Sequence, residues 1–168
     1  MARSLRFVFI GTSYGPAGSG KQQVAPLAEE CGCGQLVSDE PDRRPYFEVL
    51  KATKEADCAL VLGSKSADYT ASKALLTLAA AKRVLAIVHR DSLVGKIYSG
   101  NPEVLMCSFA ETPEESRCVE QITRSLQRII IEDPSRTAAT TIPRAHTAQT
   151  MTGRLCGVFD QALESRVQ

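Results

Sequence analysis

The sequence predicts an α/β fold built on a doubly wound, parallel β-sheet of about five strands. Short apolar runs such as FVFI at 7–10 and VLAIVH at 84–89 lack polar alternation, which is typical of strands covered on both faces. Segments with apolar residues at helical spacing alternate with these runs, and parallel strands require such crossover helices. We therefore expect residues 5–165 to form one domain, with helices on both faces of the sheet and a further helix at the C-terminal end.

The first half of the chain predicts three strands and two helices. The strand at 7–10 ends in a glycine-rich loop, and Gly32 and Gly34 end the helix that follows. A second strand, QLVS, is expected at 35–38, and the polar, proline-containing segment SDEPDRRP is expected to form a loop. A helix beginning near Tyr46 then leads to the third strand, ADCALVLGS.

The second half predicts two more strands and two helices before the C-terminal one. An alanine-rich helix of about 11 residues precedes the strand at 84–89, and EVLMCSF at 103–109 is the fifth strand. Thr112, followed by Pro113 and Glu115, has the capping-box arrangement that begins a helix. The expected buried stripe of that helix is Val119, Ile122, Leu126 and Ile129.

The last helix is expected over 145–164, after a segment without periodicity. The residues expected on its apolar face are Met151, Leu155, Val158, Phe159, Ala162 and Leu163. Such a face packs either on the sheet of its own chain or on a second copy, as a homodimer. Both outcomes stay open from the sequence.

The composition of the chain limits the classes of function that we expect for it. The 20 Lys and Arg residues against 19 Asp and Glu residues leave a net charge of +1, so we expect no extended basic surface for nucleic acid. No apolar run approaches the roughly 20 residues that span a bilayer, and no leader peptide is evident before the first strand. We therefore expect a cytoplasmic protein with no membrane span and no nucleic-acid partner.

The six cysteines are expected to be reduced, and those in apolar periodic segments are expected to be buried. These are Cys58 and Cys107 in strands and Cys118 and Cys156 in helices. Cys31 and Cys33 have C-x-C spacing, but neither histidine of the chain lies nearby in sequence to complete a zinc site. The sequence therefore predicts no metal site.

Loops at the carboxyl ends of strands are where an open parallel sheet binds ligands. Three loops qualify: GTSYGPAGSGK after the first strand, GSKSADYTASK after the third and HRDSLVGK after the fourth. Glycine lets backbone N–H groups approach an anion closely, and hydroxyl and lysine side chains add further donors. Together these loops predict a site for phosphate groups.

The segment GPAGSGKQ at 15–22 also matches the GxxxxGK core of a nucleotide-triphosphatase P-loop. Gln22 stands where that mechanism needs a Ser or Thr hydroxyl on Mg²⁺, and the strand ends at Ile10, well before the loop's first glycine. A degenerate P-loop is therefore a lesser alternative. A dinucleotide site is not expected, because Ser13 stands where GxGxxG needs its second glycine.

A longer pattern resembles a known family. The strand ADCALVLGS, the segment YTASK before the alanine-rich helix and the strand VLAIVH, taken with GTSYGPAG after the first strand, are similar to the C-terminal, donor-binding half of GT-B-type glycosyltransferases. The resemblance extends over residues 5–165 and implies a Rossmann-like domain that binds a nucleotide-diphosphate sugar as donor substrate, without another cofactor. It also implies an N-terminal acceptor domain as partner, so hexosyl transfer is expected only when the two domains are joined.

The resemblance implies that the donor diphosphate lies near the N-terminus of the helix that follows Ser72. The candidate donor-binding residues are Gly11, Thr12, Ser13, Gly18, Lys21, Arg44, Tyr46, Ser64, Tyr69, Ser72, Lys73 and His89. No catalytic residue is assigned. Leu76 departs from the family, because many relatives have a glutamate there that contacts the donor ribose and leucine cannot accept a hydrogen bond. A non-catalytic Rossmann- or flavodoxin-like interaction module is therefore the main alternative.

Overall fold

The computed structural model describes residues 5–13, 15–16, 18–69, 73–110, 115–132 and 144–165. Its strands are β1 (Phe7–Ile10), β2 (Val37–Glu40), β3 (Ala59–Leu62), β4 (Val84–His89) and β5 (Val104–Phe109). Its helices are α1 (Val24–Glu30), α2 (Tyr46–Glu55), α3 (Ala74–Ala80), α4 (Leu93–Tyr98), α5 (Glu115–Ile131) and α6 (Ala148–Glu164), with 3₁₀ turns at Gly34–Leu36 and Arg144–His146. The predicted α/β class is confirmed.

The described strands are all parallel, but their ladders form two sheets. β1 pairs with β2, from Phe7 opposite Val37 to Ile10 opposite Glu40. β4 lies between β3 and β5 in a separate sheet of three strands. The prediction of parallel strands is therefore confirmed, whereas the ladders between described strands do not join all of them into the one sheet that was expected.

The main core lies on both faces of β4, whose side chains alternate between two apolar clusters. Val84, Ala86 and Val88 face α3 and α4, where Leu78 and Tyr98 are fully buried. Leu85 lies in the cluster on the other face, which α5 covers. A continuous apolar strand needs cover on both faces, so the run VLAIVH has the environment that its composition requires.

Helix α4 forms in the segment after the fourth strand, which the sequence predicted to be a loop. The Ser92 hydroxyl caps it by accepting a hydrogen bond from the Gly95 N–H at 3.1 Å. A Cβ at Gly95 would lie 2.9 Å from the carbonyl oxygen of Arg90, so this close approach requires glycine. The Tyr98 hydroxyl donates to the Ala74 carbonyl at 2.9 Å, which joins α4 to α3, and burial raises the pKa of Tyr98 to about 12.

Several predicted boundaries were wrong. β2 begins at Val37 and includes Asp39 and Glu40, because Gly34–Leu36 forms a 3₁₀ turn and the polar residues pair with β1. The third strand is confined to Ala59–Leu62 within the predicted 56–64. Helix α3 has 7 described residues rather than the expected 11 or so, since Ala81 is already extended on the way to β4. The predicted helix start at Thr112 and Pro113 lies outside the described residues.

Burial also differs from the prediction in α5 and at the cysteines. Ile122, Leu126 and Ile129 pack on the sheet as expected, but Val119 is 62% exposed because it lies off that stripe. The cysteines are free, as expected. Cys107 is buried, whereas Cys156 is exposed because α6 leaves it uncovered. Burial raises the pKa of the Cys58 thiol to about 11, which keeps it protonated.

None of the helices that the structure describes is long and apolar enough to cross a membrane.

Candidate site at the carboxyl ends of the strands

The loop after β1 is fastened to the end of β2. The Gly11 N–H donates to the Glu40 carbonyl at 2.9 Å, and the Ser13 N–H donates to the Pro41 carbonyl at 3.0 Å. Gly11 has a φ of +71°, which a residue with a side chain adopts only with strain. Gly11, Thr12 and Ser13 therefore lie together at the carboxyl end of β1, as the sequence predicted.

A buried carboxylate, Asp39, organises this end of the small sheet. Its Oδ2 accepts hydrogen bonds from the backbone N–H groups of Gln23 (2.8 Å), Val24 (2.7 Å) and Ala25 (3.2 Å) at the start of α1. Its Oδ1 accepts from the Thr12 hydroxyl at 2.9 Å. Burial alone would raise the pKa of Asp39, but these hydrogen bonds together hold it below its ordinary value.

A second carboxylate, Asp42, holds the glycine-rich part of the loop. Its Oδ1 accepts from the N–H groups of Gly18 at 3.0 Å and Gly20 at 3.3 Å, both at an exposed position. Gly18 has a φ of +80°, which glycine adopts without the strain that a side chain would bring. The carboxylates of Asp39 and Asp42 thus occupy backbone donors of the kind that the sequence assigned to a phosphate ligand.

The positions that suggested a P-loop are used for other contacts. The Gln22 side chain donates from Nε2 to the Asp39 carbonyl at 2.9 Å, so it points at β2. The N–H groups that open α1 are taken by Asp39, and Lys21 is exposed. In the described part of the loop, these contacts occupy groups that a P-loop would turn toward a phosphate and its Mg²⁺.

The two remaining candidates on this side lie after β2. Arg44 forms an exposed ion pair with Glu40, from Nη2 to Oε2 at 2.5 Å. Tyr46 is the first residue of α2, is exposed, and packs edge-on against the Phe47 ring with centroids 5.3 Å apart. Both side chains are accessible to a ligand at this edge.

The loop after β3 carries the next candidates. The Ser64 Oγ accepts from the Ser66 N–H at 3.2 Å, and the Tyr69 N–H donates to the Ser66 carbonyl at 3.3 Å, while the Tyr69 ring is exposed. Lys73 immediately precedes α3, and its carbonyl accepts from the Thr77 N–H at 2.8 Å. Ser72 lies outside the described residues.

His89 closes β4 and is 2% exposed. Its Nδ1 accepts from the Asp91 N–H at 3.2 Å, which fixes the neutral tautomer with the proton on Nε2. Its ring packs edge-on against Phe109 at 5.8 Å between centroids. Within the described part of the chain, Nε2 has no hydrogen-bond partner. His89 is therefore a buried donor at the carboxyl end of the larger sheet.

The candidates fall into two groups that follow the two sheets. One group, after β1 and β2, comprises Gly11, Thr12, Ser13, Gly18, Lys21, Arg44 and Tyr46, and the other, after β3 and β4, comprises Ser64, Tyr69, Lys73 and His89. No hydrogen bond or ion pair described in the structure joins one group to the other. Each group lies at the carboxyl ends of parallel strands, where the sequence placed it.

Asp39 and Asp42 were missed as site residues, because both lie in a segment that the sequence predicted to be only a polar loop. Each reaches donors far away along the chain, so no local spacing reveals the contact.

Among the described residues, no group of three or more His, Cys, Asp and Glu side chains is arranged to hold a metal ion.

Comparisons with known proteins found no match: no family model, no curated protein and no solved structure matches this chain.

Proposed function

We propose that this chain is the donor-binding domain of a glycosyltransferase, which holds a nucleotide-diphosphate sugar at the carboxyl ends of its parallel strands. The observation that carries the proposal is the position of the loops after β1, β3 and β4. Because those strands are parallel within their sheets, the loops lie at the strand ends where such folds bind ligands. The resemblance in the segments GTSYGPAG, ADCALVLGS and YTASK supports the same assignment.

The fold that accompanies this proposal is Rossmann-like, with the two sheets as halves of one doubly wound sheet. β1 pairs only with β2, and β3 pairs only with β4, among the strands described. The unpaired edges of β1 and β3 are the two that a continuous parallel sheet would join. Joining them would bring the two groups of candidate residues to one edge.

The donor diphosphate lies against Gly11, Ser13 and Gly18 on one side and against Ser64 and Lys73 on the other. On the side of the first loop, the diphosphate accepts hydrogen bonds from the Gly18 and Gly20 N–H groups, which Asp42 holds in the free chain. Asp42 is exposed, and its hydrogen bonds to the described residues of the loop are those to Gly18 and Gly20, so it is the contact that a ligand displaces. Asp39 is buried and stays as the support of α1.

Transfer of the hexosyl group requires an acceptor domain in addition to this chain. That domain closes over the donor, excludes water and places the nucleophile. The isolated chain therefore binds the donor weakly and transfers nothing. It remains in the cytoplasm, where nucleotide sugars are its substrates.

Calorimetry with UDP and GDP tests the proposal. The chain is expected to bind at least one of them, and binding is expected to weaken in a Ser72→Pro variant. Asp42→Asn is expected to tighten binding, because it removes a negative charge and leaves a neutral, weaker acceptor for the Gly18 and Gly20 N–H groups. If neither UDP nor GDP binds at millimolar concentration, in the native chain or in Asp42→Asn, the proposal is contradicted.

One observation favours a second function, that of a non-catalytic interaction module. Asp42 already accepts from the Gly18 and Gly20 N–H groups of the first loop, and Asp39 accepts from the N–H groups that open α1, so these described donors have partners without a ligand. The same calorimetry separates the two functions. A module without a nucleotide site binds neither nucleotide in either variant.

A further inference from the structure

Two buried polar atoms near the carboxyl end of β4 have no hydrogen-bond partner among the described residues. One is Nε2 of His89, which carries the ring proton because Nδ1 accepts from the Asp91 N–H at 3.2 Å. The other is Oε1 of Gln121 in α5. The first atom is a hydrogen-bond donor and the second is an acceptor, so the two are chemically complementary.

Both side chains lie between the larger sheet and α5. Ile87 packs in the apolar cluster that α5 covers, and His89 follows it at the two-residue spacing that keeps side chains on one face of a strand. The His89 ring contacts Phe109 edge-on at this face, with 5.8 Å between centroids. Gln121 directly precedes Ile122, which packs in the same cluster. The donor and the acceptor therefore belong to the same layer.

Helix α5 runs antiparallel to the strands that it covers. Glu132, which follows its last residue, forms an ion pair with Arg83 just before β4, from Oε2 to Nη2 at 2.8 Å. In the middle of the helix, the Ser125 Oγ lies 3.5 Å from the Cys107 Sγ in β5. Residues of α5 that precede Ser125 therefore lie toward the carboxyl ends of the strands.

The same contacts place Gln121 and His89 at one level along the strands. Gln121 precedes Ser125 by four residues, which is about 6 Å along a helix. Phe109 follows Cys107 by two residues, which is about 7 Å along a strand. Phe109 is the residue paired with His89 in the ladder of β4 and β5. Because the two rises agree, Gln121 is level with His89.

A group that satisfies both atoms accepts one hydrogen bond and donates another. A hydroxyl group does both, whereas an ionised phosphate oxygen has no proton to donate and a cation accepts no hydrogen bond from Nε2–H. Both atoms are closed to solvent in the structure, which suits a group as small as a water molecule. Buried waters occur on the order of once per 27 residues in proteins, at polar groups that otherwise lack partners.

We infer that an internal water binds between His89 and Gln121, accepting a hydrogen bond from Nε2–H and donating one to Oε1. The water joins the carboxyl end of β4 to α5. It also holds the His89 ring in the orientation in which Nδ1 accepts from the Asp91 N–H. Gln121 is thus a positioning residue for the start of the loop after β4. This site is independent of donor binding.

Nuclear magnetic resonance of the full chain tests for the water. The His89 Hε2 proton is expected to be observed and to show a nuclear Overhauser effect to water. In Gln121→Leu, which removes the acceptor, we expect this effect to be lost and amide exchange of Asp91 to accelerate about 5-fold or more. Gln127→Leu is the matched control, because Gln127 is exposed on the same helix, and it should change neither signal. A native chain without the effect, or a Gln121→Leu variant that retains it, overturns the inference.

A double-mutant cycle tests whether the two side chains share one site. His89→Phe and Gln121→Leu each leave the other polar atom buried without its partner, so each is expected to raise the equilibrium constant of unfolding in urea. The double variant removes both polar atoms, and its constant is expected to lie at least about 5-fold below the product of the single effects. His89→Phe combined with Gln127→Leu should be additive. Additive effects of His89→Phe and Gln121→Leu overturn the shared water.

Discussion

The two sheets of this protein are held together by different forces. The sheet of β3, β4 and β5 encloses apolar side chains on both faces, and Leu78 is 0% exposed beneath it. The pair of β1 and β2 buries little apolar surface and instead depends on the hydrogen bonds of Asp39 to α1 and to Thr12. Apolar burial varies little with pH, whereas a buried carboxylate stabilises only while it is ionised. The two sheets should therefore respond to different perturbations.

The largest effect is expected from a cavity in the larger sheet. Leu78→Ala should lower the free energy of unfolding by about 3 kcal/mol, because it removes a fully buried side chain from a packed cluster. Urea unfolding followed by circular dichroism measures the change. Leu27→Ala is the control on α1, where the leucine is 60% exposed, and it should cost far less. Similar decreases in the free energy of unfolding in both variants would contradict the assignment of Leu78 to the core.

The next effect is expected from removal of the buried carboxylate. Asp39→Ala should destabilise the β1–β2 region by about 2 kcal/mol, since several N–H groups at the start of α1 lose their acceptor. Amide hydrogen exchange measures this locally: protection should fall in β1, β2 and α1, and should persist in β4. A uniform loss of amide protection in both sheets would show that they unfold as one unit.

Acidification should separate the two sheets without any substitution. The pKa of Asp39 is lowered on folding from 3.8, so its contribution is complete above that pH and is lost as the pH falls through the lower, folded value. Hydrogen exchange in the β1–β2 region should therefore accelerate relative to β4 in acid. The Asn side chain of Asp39→Asn cannot titrate. This variant should therefore abolish the pH dependence of the difference in exchange rate between the β1–β2 region and β4. If Asp39→Asn showed the same pH dependence of hydrogen exchange as the native chain, the role of this carboxylate would be contradicted.

The smallest effect is expected at the exposed carboxylate. Asp42→Ala should change the free energy of unfolding by no more than about 0.5 kcal/mol, because water replaces its two hydrogen bonds to the loop. Thermal unfolding of this variant beside Asp39→Ala checks the contrast. A loss as large as that of Asp39→Ala would mean that the whole loop, rather than the start of α1, supports the small sheet.

Much of the fold could be predicted because the information is local. The run VLAIVH is apolar at every position before its final histidine, so it predicts a doubly covered strand wherever its partners lie, and β4 spans those residues. The α6 pattern likewise predicts an amphipathic helix from spacing alone. Of the candidate site, the sequence predicted the loops at the carboxyl ends of β1, β3 and β4, because a parallel sheet with crossovers leaves little choice.

What the sequence could not reveal depends on contacts between distant residues. The segment around Asp39 has the composition of a loop, yet it forms a strand because its carboxylate reaches the start of α1 and its backbone pairs with β1. Tyr98 likewise draws α4 into the core by bonding to Ala74. Apolar periodicity and glycine placement act over a few residues, so the sequence by itself determined the parallel α/β class and the amphipathic α6. Only the tertiary structure decided that Asp39 supports the small sheet and that the face of α6 is uncovered, because burial and hydrogen-bond partners exist only once distant segments meet.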